Sequence, residues 1–522
     1  MLGPFHSLRH LARLAWIAWT LARHDALAPF ADIAAAAPLA RLGRRLRRRD
    51  AAAAARPGER LAAALSEMGP AFIKLGQLLS TRADLLGDEI AGDLARLQDR
   101  LPPFPADEAR RLIAAEFGRP LDALYANFDD TPVAAASIAQ VHFAQTTDGQ
   151  DVAVKILRPG IVAAFARDLG LFRWLARVVE GGRPAWRRLK PVAVVETLAQ
   201  SVAIEMDLRL EAAAAAELAE NFAGDPSFRV PRIDWQRTGR TVLTTARVAG
   251  IRVDDRDALV AAGHNVPDLL RHAADAFFKQ VFRDGFFHAD LHPGNMFVAA
   301  DGAIAVVDFG IMGRLDRQTR IYLADMLVGF LSGDYRGVAA VHFAAGYVPG
   351  HRSIDAFAQA CRSIGEPILG RPLHEISIAR LLAQLFRVTE QFEMETQPQL
   401  LLLQKTMVLI EGVGRRLDPG ANIWLMAQPL IEEWVRENRG PEARLRERVD
   451  ALVEIADELP GLVRTLGKLI DEWSRRGVAL HPDASNDDAA QHTWRLGRLG
   501  LPLWVAAAAL AVIATVLALG AR

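Results

Sequence analysis

The run His288-Ala289-Asp290-Leu291-His292-Pro293-Gly294-Asn295 is followed, thirteen positions after its asparagine, by Asp308-Phe309-Gly310. An acid, an amide and a second acid in this order can serve phosphoryl transfer. In that chemistry a protein orients a nucleotide, places divalent metal on its phosphates and offers a carboxylate to the nucleophile. Asp290 is the candidate carboxylate, and Asn295 and Asp308 are the candidate metal ligands. Met296-Phe297-Val298 and the stretch from Ala303 to Val307 are β-rich and are joined through Asp301-Gly302. The spacing predicts a hairpin that brings the two metal ligands together. Either motif alone also matches ordinary loops, and it is their order and spacing that point to this chemistry. His288 and His292 flank Asp290 in a pattern that could suit a metal pair. With no third ligand in metal spacing, hydrogen-bonded structural histidines are the expectation.

A cation for the phosphates is available upstream. Val152-Ala153-Val154-Lys155 is a β-rich run ending in lysine, and it follows the Ser137 to Gln145 stretch and a turn at Asp148-Gly149. Strand, turn and strand put Lys155 within reach of a nucleotide. The helical segment from about Pro191 to Phe222 carries Glu205, Asp207 and Glu211. Asp207 and Glu211 are four apart and share a face. One of the three acids should hold Lys155 toward the phosphates, and Glu211 is the choice; a solvated acidic face is the alternative for any one of them.

A protein kinase covers the phosphates with a G-x-G-x-x-G loop. The corresponding stretch here is Val133-Ala134-Ala135-Ala136-Ser137-Ile138-Ala139-Gln140-Val141. Alanine permits close approach but resists the positive φ that glycine tolerates, so a stiffer nucleotide-binding loop is expected.

In these features the chain resembles the UbiB family of atypical kinase-like proteins. The resemblance rests on Lys74-Leu75-Gly76-Gln77 in the family's KxGQ position, the alanine-rich loop, the Glu205-x-Asp207 pair, and the HADLHPGN and DFG segments, and it spans roughly residues 60 to 320. It implies an α+β, two-lobed protein-kinase-like fold, with an N-terminal helical extension over the site where a protein kinase receives its peptide. Carried over by position, Lys74, Gln77, Glu205 and Asp207 would be regulatory, with Lys74 against the two acids. ATP and Mg2+ are the implied cofactors, with ATPase activity in support of ubiquinone biosynthesis. Implied partners are a membrane lipid or quinone intermediate and other ubiquinone-biosynthesis proteins. A true small-molecule or lipid kinase, and a catalytically silent nucleotide-binding scaffold, stand as alternatives.

The elements that must position these residues follow from composition. At 522 residues, 51% of them apolar, the chain can bury a large core. Its single cysteine, Cys361, excludes an internal disulfide and reads as a small buried apolar residue. Lysine plus arginine equals aspartate plus glutamate at 62 each, a balance that does not call for nucleic acid. The expected organisation is a basic N-terminal segment at 1–58, the KxGQ extension at 59–121, a small lobe at 122–250 and a large lobe at 251–440. A helical segment at 441–480 and a polar linker at 481–498 would follow. Residues 499–521 lack any charge, are almost continuously apolar and are flanked by Arg495, Arg498 and Arg522. That length predicts a single transmembrane helix. The preceding arginines favour a cytoplasmic catalytic domain, and the resemblance implies that the membrane is the cell inner membrane. Arg41, Arg44, Arg45, Arg47, Arg48 and Arg49 form a cluster suited to anionic lipid, or equally to an exposed helical face or basic linker.

Overall fold

The computed structural model describes residues 4–26, 56–80, 87–94, 97, 102–182, 191–367 and 397–420, with scattered further positions between 384 and 437. Two compact units divide the chain, Met1–Leu430 and Ile431–Arg522, and all the elements below lie in the first. In chain order its strands are β1 Tyr125–Phe128, β2 Ala134–Ala135, β3 Ala139–Thr146, β4 Asp151–Leu157, β5 Phe228–Arg229, β6 Val242–Ala246, β7 Ile251–Arg252, β8 Phe286–His288, β9 Met296–Val298, β10 Ile304–Val306 and β11 Met312–Arg314.

The small lobe is an antiparallel sheet in the order β1-β3-β4-β6, with β2 also paired to β3. Along β4, Val152, Val154 and Ile156 are buried in alternation. They share a core with Ile113, Leu124, Tyr125, Phe128 and Val242. Because side chains alternate across a strand, the same pattern turns Ala153 and Lys155 to the other face. The helix Ala106–Phe117 supplies Ala109 and Ile113 to this core. It therefore packs as part of the small lobe, although its sequence falls within the stretch assigned to the extension. Two buried residues four apart give it one apolar stripe, and the sheet is what covers that stripe.

The extension is a packed group of three helices, Pro57–Met68, Pro70–Ser80 and Asp88–Leu94. Its first two helices meet at Gly69, whose φ of 102° lets the chain turn sharply between them. Phe72 stands edge-on to Phe172 of the Ile161–Gly182 helix, ring centroids 5.0 Å apart. The N-terminal helix Pro4–Arg23 also docks on the protein: Arg13 pairs with buried Asp168 at 3.0 Å and lies over the Trp16 ring. The Arg41 to Arg49 cluster lies outside the described residues.

In the large lobe, β5-β10-β9-β7 form one sheet and β8 pairs antiparallel with β11. Met296–Val298 and Ile304–Val306 are the two arms of the expected hairpin. Gly302, at φ 84°, takes its left-handed turn position. Gly313 crosses the ring of Phe287 so closely that any Cβ there would collide with it. The helices Tyr335–Ala344 and Ile354–Gly365 enclose a second core containing Val338, Phe357 and Cys361. Burial pushes the Cys361 thiol up to about 12, so it sits there as a small apolar residue. Among the described residues no helix is long and apolar enough to cross a membrane. The segments assigned to 441–480, 481–498 and the span 499–521 lie outside them.

Candidate active site

Lys155 is the centre of the site. Its Nζ donates to both carboxylate oxygens of Glu211, at 2.8 and 2.9 Å, and to Oδ1 of Asp308 at 2.7 Å. Of the three acids considered for Lys155, Glu211 is the one in contact. It lies buried in the first turn of the Leu208–Asn221 helix, whose N-cap is Asp207. One ammonium between two carboxylates cannot satisfy both equally, and burial sets the division. Burial opposes the charge on Lys155, yet Asp308 and Glu211 outweigh it and hold the lysine above its ordinary pKa. Burial pushes Glu211 up to about 7, with Lys155 offsetting this only in part and Asp308 adding repulsion. The charge of Lys155 holds Asp308, whose side chain is about half exposed, well below the usual carboxylate range. Asp308 thus stays ionised at neutral pH, and it does so at φ 65°, a conformation that side-chain-bearing residues seldom adopt.

The loop that carries Asp290 is built by its own histidines. His288 is fully buried; its Nε2 donates to Val307 O at 3.2 Å, and its Nδ1 accepts from Asp290 N at 3.1 Å. It ties this loop to the strand that leads into Asp308, and burial lowers its pKa. His292 Nδ1 accepts from Gly294 N at 2.9 Å and caps the short turn Pro293–Asn295. Both histidines are occupied in holding the backbone. Asn295 donates Nδ2 to Asp290 O at 3.1 Å, which leaves its amide oxygen as a ligand atom. That oxygen and the ionised carboxylate of Asp308 are hard donors, suited to magnesium, which completes its shell with water and phosphate oxygens. Among the described residues no group of three His, Cys, Asp or Glu side chains could hold a metal by itself.

The extension reaches this site through Lys74. Lys74, on the Pro70–Ser80 helix, pairs with Glu205 at 2.9 Å, and both side chains are largely buried. Its charge also contributes to the lowering at Asp308. Asp207 accepts from its own helix, at Arg209 N, and pairs with the Arg209 guanidinium at 2.6 Å. The two acids of the Glu205-x-Asp207 pair are therefore used differently. Gln77 lies half-buried one turn beyond Lys74 on the same helix.

Within the alanine-rich stretch, Val133, Ala134, Ala135, Ala136 and Ile138 remain at least partly exposed, whereas Ser137, Ala139 and Gln140 are buried. Val141 is half-buried on β3. Gln140 was expected to face nucleotide, but its side chain turns away: it accepts from Phe104 N at 3.0 Å, donates to Phe104 O at 3.2 Å and meets His142 Nε2 at 2.8 Å. Strand alternation puts it on the face opposite Val141. Arg158 fastens the loop further, donating from its guanidinium to Ala136 O and to Pro102 O, each at 2.9 Å, and from its backbone to Ile138 O at 2.8 Å. These bonds restrain the loop in addition to its lack of glycine. Arg158 carries no motif signal, and nothing in its spacing reveals the role. Lys405 escaped sequence reasoning too: its Nζ donates to Asp290 Oδ1 at 2.7 Å from 115 positions away. A lone cation in the apolar run Leu400 to Ile410 was the available signal, but it does not say where that cation points.

A strand lysine held by a helix glutamate, above a loop and a DFG turn that present an acid, an amide and a second acid, defines an atypical protein-kinase-like protein. Residues 96–342 match the ABC1 atypical kinase-like domain, and residues 361–422 match the UbiB helical domain. The chain belongs to the UbiB family of these proteins. It is 45% identical over 413 residues to "Probable protein kinase UbiB" of Marinobacter nauticus, covering 78% of this chain and 76% of that protein. The protein of the same description from Azotobacter vinelandii is 43% identical over 420 residues, 80% of this chain and 78% of the relative. Among solved structures, that of Rv3197 with erythromycin from Mycobacterium tuberculosis is 26% identical, covers 70% of this chain and 93% of its own, and gives a TM-score of 0.49.

Proposed function

We propose that this chain is a magnesium-dependent, ATP-binding kinase-like ATPase that supports ubiquinone biosynthesis at the inner membrane. The observation that carries the proposal is the position of Lys155, held at once by Glu211 and Asp308. That arrangement keeps a cation on the sheet face opposite the small-lobe core, next to an ionised metal ligand. In this reading Lys155 binds the phosphates and Glu211 orients it. Asn295 and Asp308 hold magnesium, which when bound neutralises charge on the phosphate oxygens. Asp290 positions a water or accepts its proton. The water oxygen bonds to the γ-phosphorus as the bond from that phosphorus to the β–γ bridging oxygen breaks. ADP leaves with the electron pair, and the proton passes to Asp290 or to solvent. The exposed part of the 133–141 stretch covers the nucleotide, while Lys74, Gln77, Glu205 and Asp207 tune how the extension closes over it. A span at 499–521 would anchor the protein beside a lipid or quinone intermediate and other ubiquinone-biosynthesis proteins.

Phosphate release from ATP by the purified full-length protein, with and without magnesium, tests the chemistry. A mass-spectrometric inventory of quinone intermediates in a strain lacking the protein tests the pathway. An accumulated ubiquinone precursor together with magnesium-dependent release is the expected result. A phosphorylated small molecule or lipid in place of free phosphate would make it a true kinase. Nucleotide binding without turnover would leave a scaffold.

A further inference from the structure

The loop from Asp290 to Asn295 contains no lysine or arginine, so the acid proposed to serve the nucleophile has no cation from its own segment. One reaches it from elsewhere. The Pro398–Leu417 helix, within the stretch matching the UbiB helical domain, places Lys405 Nζ 2.7 Å from Asp290 Oδ1. The helix is fixed there by its opposite face: Leu403, Thr406, Ile410, Val413 and Leu417 are buried at spacings of three and four. Arg256 Nε donates to Leu417 O at 2.9 Å and holds the helix end. It packs on the Val266–Phe278 helix and on β11, the partner strand of the β8 segment that leads into Asp290.

The Lys405 side chain is 45% exposed and that of Asp290 26%, so the pair is open to solvent. A pair so exposed adds little to folding stability. Its position suits chemistry better, because charge develops on the transferring phosphoryl group beside the acid that handles the nucleophile. We infer that Lys405 is a positioning residue of the phosphoryl-transfer step, holding the Asp290 carboxylate in register with the nucleophile and making the helical segment part of the reaction centre. The inference rests on the ATPase reading above.

Steady-state ATP hydrolysis by full-length Lys405→Met and Lys405→Arg, with calorimetric nucleotide binding and thermal melting, tests it. Lys405→Met should lower kcat by about tenfold to 100-fold, with nucleotide affinity and melting temperature unchanged. Lys405→Arg, which keeps the charge, should recover most of the rate. Because the lysine acts through Asp290, adding Lys405→Met to Asp290→Asn should slow the enzyme no further. Wild-type turnover matched by Lys405→Met would overturn the inference and leave the ATPase reading intact. A loss confined to KM, or one fully additive with Asp290→Asn, would overturn it equally. A wild-type protein with no turnover would remove the ATPase reading, and this inference with it.

Discussion

Asp290 and Asp308 are both acids of the same short stretch, yet their surroundings differ enough that their amides should fail in different ways. Asp308 faces Lys155 and has its charge held on by it. Asp308→Asn should therefore weaken magnesium-dependent nucleotide binding, measured by calorimetry with and without the metal. Asp290→Asn should leave that affinity nearly unchanged and lower kcat by about 100-fold. Glu211 adds a pH dependence whose sign follows from its burial. With its pKa raised to about 7, it is largely neutral at pH 6 and ionised at pH 8, and only the ionised form pairs fully with Lys155. We expect kcat/KM for ATP to rise through pH 7, and Glu211→Gln to flatten that rise while lowering the plateau. The same shift acts oppositely on folding. The folded state binds this proton more tightly than the unfolded chain, so the Glu211 contribution to stability falls as pH rises from about 4.5 toward 7. A pH–rate profile with a flat wild-type limb between 6 and 8 would remove Glu211 from the mechanism.

At the scale of elements, two packed joints set the geometry. The Pro70–Ser80 helix meets the end of the Pro191–Glu205 helix through Lys74 and Glu205. Lys74→Ala leaves a largely buried carboxylate without that cation, which should cost about 1–3 kcal/mol of stability. It should also change nucleotide affinity through the lost charge near Asp308. Melting and nucleotide titration of the same sample separate the two effects, and unchanged affinity in a folded variant would confine Lys74 to holding the helix in place. The second joint is the crossing of β8 and β11. Gly313→Ala must push the Phe287 ring aside, an overpacking that should cost about 1–3 kcal/mol and be visible as a lower melting temperature. An unchanged melting temperature would mean that the strands can part without loss. His288, Gly313 and the Lys405 helix all converge on β8 and β11, so this change should also lower turnover.

For the whole molecule, the expectation that remains to be tested is attachment. Removing residues 499–522 deletes the long uncharged stretch, and the truncated protein should be released from membranes by high salt while the full chain is retained. Fractionation at two salt concentrations decides this, and a full-length protein wholly in the soluble fraction would contradict the anchor.

What was legible in the sequence was local. The hairpin between Met296 and Val306, the turn of Lys155 away from the small-lobe core along an alternating strand, and the structural use of His288 and His292 all arise within a few residues. Backbone periodicity and turn chemistry govern at that range. Spacing could narrow the partner of Lys155 to three acids, but it could not assign them. Packing gave Glu211 to Lys155, Glu205 to Lys74 and Asp207 to a helix cap. It also turned Gln140 toward Phe104 and brought Lys405 to Asp290 across 115 positions. Such contacts depend on which faces of separate elements are buried against one another. A side chain's place in the chain does not contain that information, because the same lysine on the same helix would point into water if its apolar stripe were covered from another side.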